Sequence, residues 1–155
     1  MLRPITYTRL KNIALFYLER YDASSYKLKT VLQRRIQKNI MQGDIVPPEV
    51  SEWIQTIVAE CAALGYVNDS RYAENQARYL SEHGKSARFI QQKLANAGIP
   101  EQTIQDVLNQ QTDYDRAKIF AHKKHLGSDY QKDMAKLARA GFSYEIAKQI
   151  LTSGA

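Results

Sequence analysis

Apolar residues recur along this chain at three- and four-residue spacing, and each run stops at a glycine, a proline or a short polar cluster. That periodicity predicts helices. The clearest stretch is Leu64 to Leu108. Asn68 or Asp69 caps a helix carrying Tyr72, Ala73, Ala77 and Leu80, and Gly84 stops it. Ser86 opens a second helix with Phe89, Ile90, Leu94 and Ala97 on its inner face. Gly98 ends that helix in the left-handed cap conformation, with Ile99 folding back on Leu94. Pro100 forces a break, and a short third helix carries Ile104, Val107 and Leu108.

The flanks read the same way. A first helix is predicted over Ile5 to Tyr21, and Ser24 or Ser25 caps a second one with Leu28, Leu32 and Ile36 at four-residue steps. The outer face of that second helix is assigned Lys27, Lys29, Arg34, Arg35 and Lys38. Asn39 to Pro48 is expected to be a loop, and a third helix runs from near Pro48 to Leu64 through Val50, Trp53, Ile54, Ile57, Val58 and Cys61. At the other end, Ala117, Phe120, Ala121 and Leu126 point inward on a helix closed by Gly127. Ser128 or Asp129 caps the next helix, with Tyr130, Met134, Leu137 and Ala138. Gly141 ends it, and Ser143 caps a last helix with Ile146, Ala147, Ile150 and Leu151.

Lys93-Leu94-Ala95-Asn96-Ala97-Gly98 returns as Lys136-Leu137-Ala138-Arg139-Ala140-Gly141, and Val107-Leu108 returns as Ile150-Leu151. A period of roughly forty residues belongs to helical repeat arrays, whose units touch mainly their neighbours. The expected fold is therefore all-α: three tandem three-helix repeats forming an elongated, curved array. Their bounds are 1–67 (expanded, with a Pro/Gly loop near 39–48), 68–111 and 112–155. A compact domain of this length has a radius of gyration of only ~15 Å. A longer body suits a long ligand.

Gly65-Tyr66-Val67-Asn68-Asp69-Ser70-Arg71-Tyr72-Ala73, then Gly84-Lys85-Ser86, then Ile90, Leu94, Gly98 and Ile99 resemble the signature of the RecX family of bacterial RecA regulators. The resemblance implies an all-helical protein of three tandem three-helix repeats with no catalytic residue, cofactor or metal. It also implies binding to RecA and its nucleoprotein filament, with modulation, mainly inhibition, of the recombinase. The Pro47-Pro48 loop and a central repeat without excess positive charge depart from the expected pattern.

Charge sharpens where a partner would be met. The net charge is +6, distributed unevenly. Residues 1–44 hold nine bases against three acids, and residues 113–155 hold eight against five. Basic ends attract phosphate backbones or acidic protein surfaces. The contact candidates are Lys27, Lys29, Arg34, Arg35 and Lys38 at one end, Lys123, Lys124, Lys132, Lys136 and Arg139 at the other, and Arg71 within the family signature. General nucleic-acid binding through these basic ends is the alternative function, with single- or double-stranded DNA bound non-specifically.

Other chemistry is excluded residue by residue. Gly84-Lys85-Ser86 ends like a phosphate-binding loop, but Tyr79 stands where the motif needs glycine. His122 and His125 share a helix face with Lys123 and Lys124 between them, which repel a cation; a solvated basic face is the better reading. Glu74 and Glu82 read as surface helix charges. Ser86 to Asn109 could form a helix–turn–helix, yet its second helix offers Glu101, Gln102, Gln105 and Asp106 and no base to meet phosphate. Tyr72 is assigned to the core, while Tyr7, Tyr21, Tyr26 and Tyr114 remain open between core and stacking roles. Cys61 is the one cysteine, read as a buried structural thiol. No run is long and apolar enough for a membrane span, and MLRPITYTRLK lacks the apolar core of a secretory signal. The expectation is a cytoplasmic, monomeric, non-enzymatic protein.

Overall fold

The computed structural model describes residues 1–153 and contains, among the described residues, nine helices and no strand. They are α1 (Tyr7–Arg20), α2 (Ser25–Met41), α3 (Val50–Ala63), α4 (Asp69–Glu82), α5 (Ala87–Asn96), α6 (Glu101–Leu108), α7 (Asp113–Lys123), α8 (Tyr130–Arg139) and α9 (Tyr144–Thr152). The chain is all-α, with repeated three-helix units. Two compact units are distinguished, Met1–Tyr72 and Ala73–Ala155, with the division falling inside α4.

Six helices begin at a residue whose side-chain oxygen accepts the N–H three positions on: Thr6, Ser24, Ser86, Thr112, Asp129 and Ser143. Asn68 does the same for α4, accepting from Arg71 N at 2.9 Å. Each such cap satisfies a donor that the helix itself leaves orphaned.

The first unit packs α1, α2 and α3 around Leu10, Ala14, Leu28, Leu32, Ile36, Ile54, Ile57, Cys61 and Val67. The second unit buries Ile90, Leu94, Ile104 and Val107 on α5 and α6, and Ala117, Ala121, Leu137, Ala147 and Ile150 on α7, α8 and α9. Each large aliphatic among these contributes about 1.5–3 kcal/mol on burial.

Four local expectations are corrected. Asn39 is no loop residue: α2 runs on to Met41, and Asn39 is fully buried. Its amide nitrogen donates to Arg3 O at 2.9 Å and to Asp44 Oδ2 at 2.8 Å, and its oxygen accepts from Arg35 Nε at 3.0 Å. The extra turn survives because that side chain ties the chain before α1 to the turn after α2. Secondly, α7 ends before Gly127. His125, at φ 54, takes the left-handed position, with Leu126 N donating to Ala121 O at 2.9 Å. Histidine is among the residues that enter this region more readily. Thirdly, Phe89 is 38 % exposed rather than inward. At 100° per residue it lies well off the centre of the Ile90, Leu94 and Ala97 face. Lastly, Arg35 is half-buried and not on the outer face of α2.

Candidate nucleic-acid and partner interface

The expected cations of α2 separate by helical geometry. Lys27, Arg34 and Lys38 share one exposed stripe, at seven- and four-residue steps. Lys27 places its ammonium 5.7 Å from the centre of the Tyr72 ring. Lys29 sits off the stripe and, with Arg34, lines a groove of about 510 Å³ between α2 and α3 that also reaches Ile54. Arg35 turns toward α1. Arg71 is exposed, with Nη1 donating to Gly65 O at 3.3 Å. Tyr72 is buried at 4 % exposure.

In the second unit the cations do converge. Gly84 and Gly141 make this possible. A Cβ on Gly84, at φ +76, would sit 2.7 Å from Phe120 N, and one on Gly141, at φ +97, would sit 2.6 Å from Ser86 Oγ. Only glycine lets the end of α4 lie on α7, and the end of α8 lie on the start of α5. The two approaches bring Lys85 and Phe89 beside Lys124, Lys136 and Arg139. Together with Phe120 they line a cleft of about 520 Å³. Among the described residues no carboxylate lines it. The Lys85 ammonium lies 5.0 Å from the Phe89 ring centre, and Phe120 packs 5.8 Å from Phe142. Lys132, Lys136 and Arg139 recur at four and three residues, so Lys132 extends the same face by one turn. Lys123 lies elsewhere, in a groove with His122 and His125.

Four cations around exposed and half-exposed phenylalanine rings can hold a phosphate or a carboxylate while an apolar group or a base stacks on the ring. Lys85 and Phe89 were missed in the sequence because the central repeat balances its charges overall. The available signal was the 100° step per residue, which sets Phe89 off the centre of the Ile90, Leu94 and Ala97 face to which it was assigned.

Among the described residues no group of three or more His, Cys, Asp or Glu is placed to hold a metal ion, and His122 and His125 are exposed. No helix among them is long and apolar enough to cross a membrane. Cys61 is buried, and burial, followed by the nearby Glu60 charge, pushes its thiol up from 9.0.

Residues 68–108 match the family model described as RecX, second three-helix domain. The chain is 36 % identical to the regulatory protein RecX of Myxococcus xanthus (strain DK1622), covering 97 % of this chain and 88 % of that one. It is 33 % identical to the regulatory protein RecX of Legionella pneumophila (strain Corby), over 92 % of this chain and 93 % of the other. The fold matches the crystal structure of RecX from Lactobacillus salivarius with a TM-score of 0.72 at 22 % identity, over 95 % of both chains.

Proposed function

The chain belongs to the RecX family of regulatory proteins, and from that premise we propose that it binds the RecA recombinase and its nucleoprotein filament. Binding restrains strand exchange, ATP hydrolysis and co-protease activity, with no reaction catalysed by the chain itself. The observation that carries this reading is the identity to a named regulatory relative along nearly the full length of both proteins. In this reading the repeats span residues 1–67, 68–111 and 112–155, and the protein works as a cytoplasmic monomer. Several modest contacts from successive repeats to neighbouring protomers would add up to useful avidity. The contacts come from Lys27, Lys29, Arg34, Arg35, Lys38 and Arg71 in the first part of the chain, and from Lys123, Lys124, Lys132, Lys136 and Arg139 in the last.

The test adds the protein to preformed RecA–single-stranded DNA filaments and follows ATP hydrolysis and strand exchange. Inhibition at near-stoichiometric protein is the expected result; no effect at several-fold molar excess overturns the reading. Changing Lys124, Lys136 and Arg139 together to Ala, with helical content preserved by circular dichroism, should weaken inhibition.

A second reading, general nucleic-acid binding, is favoured by the Phe89–Phe120 cleft with its four cations. It predicts binding to bare single-stranded DNA that falls steeply with salt, the log–log slope shrinking by about 2 in the triple Ala variant as neutralised phosphates are lost. Weak, salt-insensitive binding to bare DNA beside tight filament binding would discard it.

A further inference from the structure

Arg9 on α1 and Arg35 on α2 border a cleft of about 430 Å³ in the first unit, walled by Asn12, Ile13 and Phe16. Arg35 Nε is committed to Asn39 Oδ1. Arg35 Nη2 and Arg9 Nε are different: both are buried, and both lack a hydrogen-bond partner. They are the two side-chain atoms in that condition among the described residues. Among the described residues no carboxylate lines the cleft. The nearby Asp44 is engaged by Asn39 and Gln42. Burial, then the neighbouring Arg9 charge, pushes the Arg35 pKa down. A guanidinium nevertheless stays protonated. The first unit thus holds two like charges with unanswered donors at the wall of one recess, an arrangement that an anion relieves.

The walls select among anions. Phe16 is 57 % exposed, its ring carries the Arg20 guanidinium at 4.4 Å, and Ile13 lies one turn before it. Phosphate backbones are ordinarily met by exposed cations along a track. A recess with a largely apolar wall and one unanswered donor on each of two guanidiniums fits a carboxylate on a side chain with an apolar neighbour.

We propose that the Arg9–Arg35 cleft receives the carboxylate of an Asp or Glu from a protein partner, with an apolar neighbour of that residue lying on Ile13 and Phe16. The proposal rests on the reading above that the chain docks on a protein, and it names the chemistry of one docking residue. Arg9 enters the interface, and Arg35 acts in it as a half-buried guanidinium held by Asn39 rather than as part of a surface stripe.

Two measurements on the full chain separate the cleft from the partner. The first follows the Nε–Hε resonances of Arg9 and Arg35 by NMR during titration with acetyl-Leu-Glu-Leu-amide. Both should shift, and acetyl-Leu-Gln-Leu-amide should leave them in place. Equal shifts with both peptides, no shift, or a larger response to inorganic phosphate overturns the carboxylate assignment. The second compares Arg9→Gln/Arg35→Gln with the Lys pair Arg9→Lys/Arg35→Lys on RecA–single-stranded DNA filaments. The Gln pair should lose about thirtyfold or more in affinity, as when one partner of a buried charge pair is truncated. The Lys pair should lose much of it too, because an ammonium lacks the fork. Binding to bare single-stranded DNA should fall far less than filament binding, by no more than the loss of two positive charges implies. Unchanged filament binding in the Gln pair overturns the cleft's part in docking. A wild-type protein that ignores the filament overturns the proposed function instead, and the peptide titration still decides the cleft.

Discussion

Asp69 and Asp113 stand at the same place in successive triplets, yet their surroundings differ. Each is the first residue of its helix, and each accepts the N–H of the residue that opens an earlier helix: Ser25 for Asp69 and Ala87 for Asp113, both at 2.8 Å. Three positions on, the chain places Tyr72 in one case and Arg116 in the other, at 4 % and 2 % exposure. The matching position of α1 is Leu10, fully buried. One slot thus accepts an aliphatic, an aromatic and a cation. The cation is tolerated because its donors are answered: Nη1 by Asp113 Oδ1 at 3.1 Å, Nε by Ser81 Oγ at 3.0 Å and Nη2 by Leu108 O at 2.9 Å. Leu108 O at the end of α6 has otherwise only a long 3.5 Å bond from Gln111 N, and Ala87 N is an orphan donor at the start of α5, so a single ion pair closes two helix ends. The slot needs filled volume and satisfied polar atoms, not one residue type.

The comparison breaks most sharply at Arg116. Arg116→Met keeps most of the volume but leaves Leu108 O and Ser81 Oγ without their donor, and should destabilise the fold by about 3–5 kcal/mol in urea denaturation followed by circular dichroism. A wild-type midpoint would mean that the slot asks only for volume. Asp113→Ala removes the acceptor of a buried charge and should cost about 1.5–3 kcal/mol by the same measurement. Asp69→Ala removes the acceptor of one neutral N–H and should cost about 1 kcal/mol. Equal losses at the two aspartates would dissolve the distinction between them. Tyr72→Phe keeps the ring in the slot and should change stability by about 0.5 kcal/mol or less.

Alkaline pH sharpens the first unit's side of the comparison. The Cys61 thiol is held up by burial, so the unfolded chain ionises near 9.0 before the folded one does. Its contribution is present in full below that pH and is lost as pH rises above it. The urea midpoint should fall above about pH 9, with a gentler slope in Cys61→Ala. Cys61 in the folded chain should react with a thiol reagent at least about tenfold more slowly than in urea.

The helices were legible because their signals are local. Caps such as Ser24, Ser86 and Ser143 act on a donor three residues away, and the Leu28, Leu32 and Ile36 stripe acts within a few turns. The misread ends share a cause. Asn39 looks like a loop former until Arg3 and Asp44 surround it, and His125 takes a position where glycine was expected. The candidate site was legible as charge but not as geometry. Lys124, Lys136 and Arg139 were named, whereas Lys85 and Phe89 beside them were not, and Arg35 was assigned to the wrong face.

By itself the sequence determined an all-helical chain of repeated triplets, where most of its helices are capped and broken, and the family to which the chain belongs. Periodicity and capping are short-range properties that survive in any tertiary arrangement. Tertiary structure alone decided which cations meet. Phe120 lying over Gly84, and Ser86 against Gly141, gather Lys85, Phe89, Phe120, Lys124, Lys136 and Arg139 into one cleft. The packing of α1 on α2 leaves Arg9 and Arg35 with donors unanswered. Convergence of that kind depends on the close approach of segments distant in sequence, which no spacing of residues along one helix encodes.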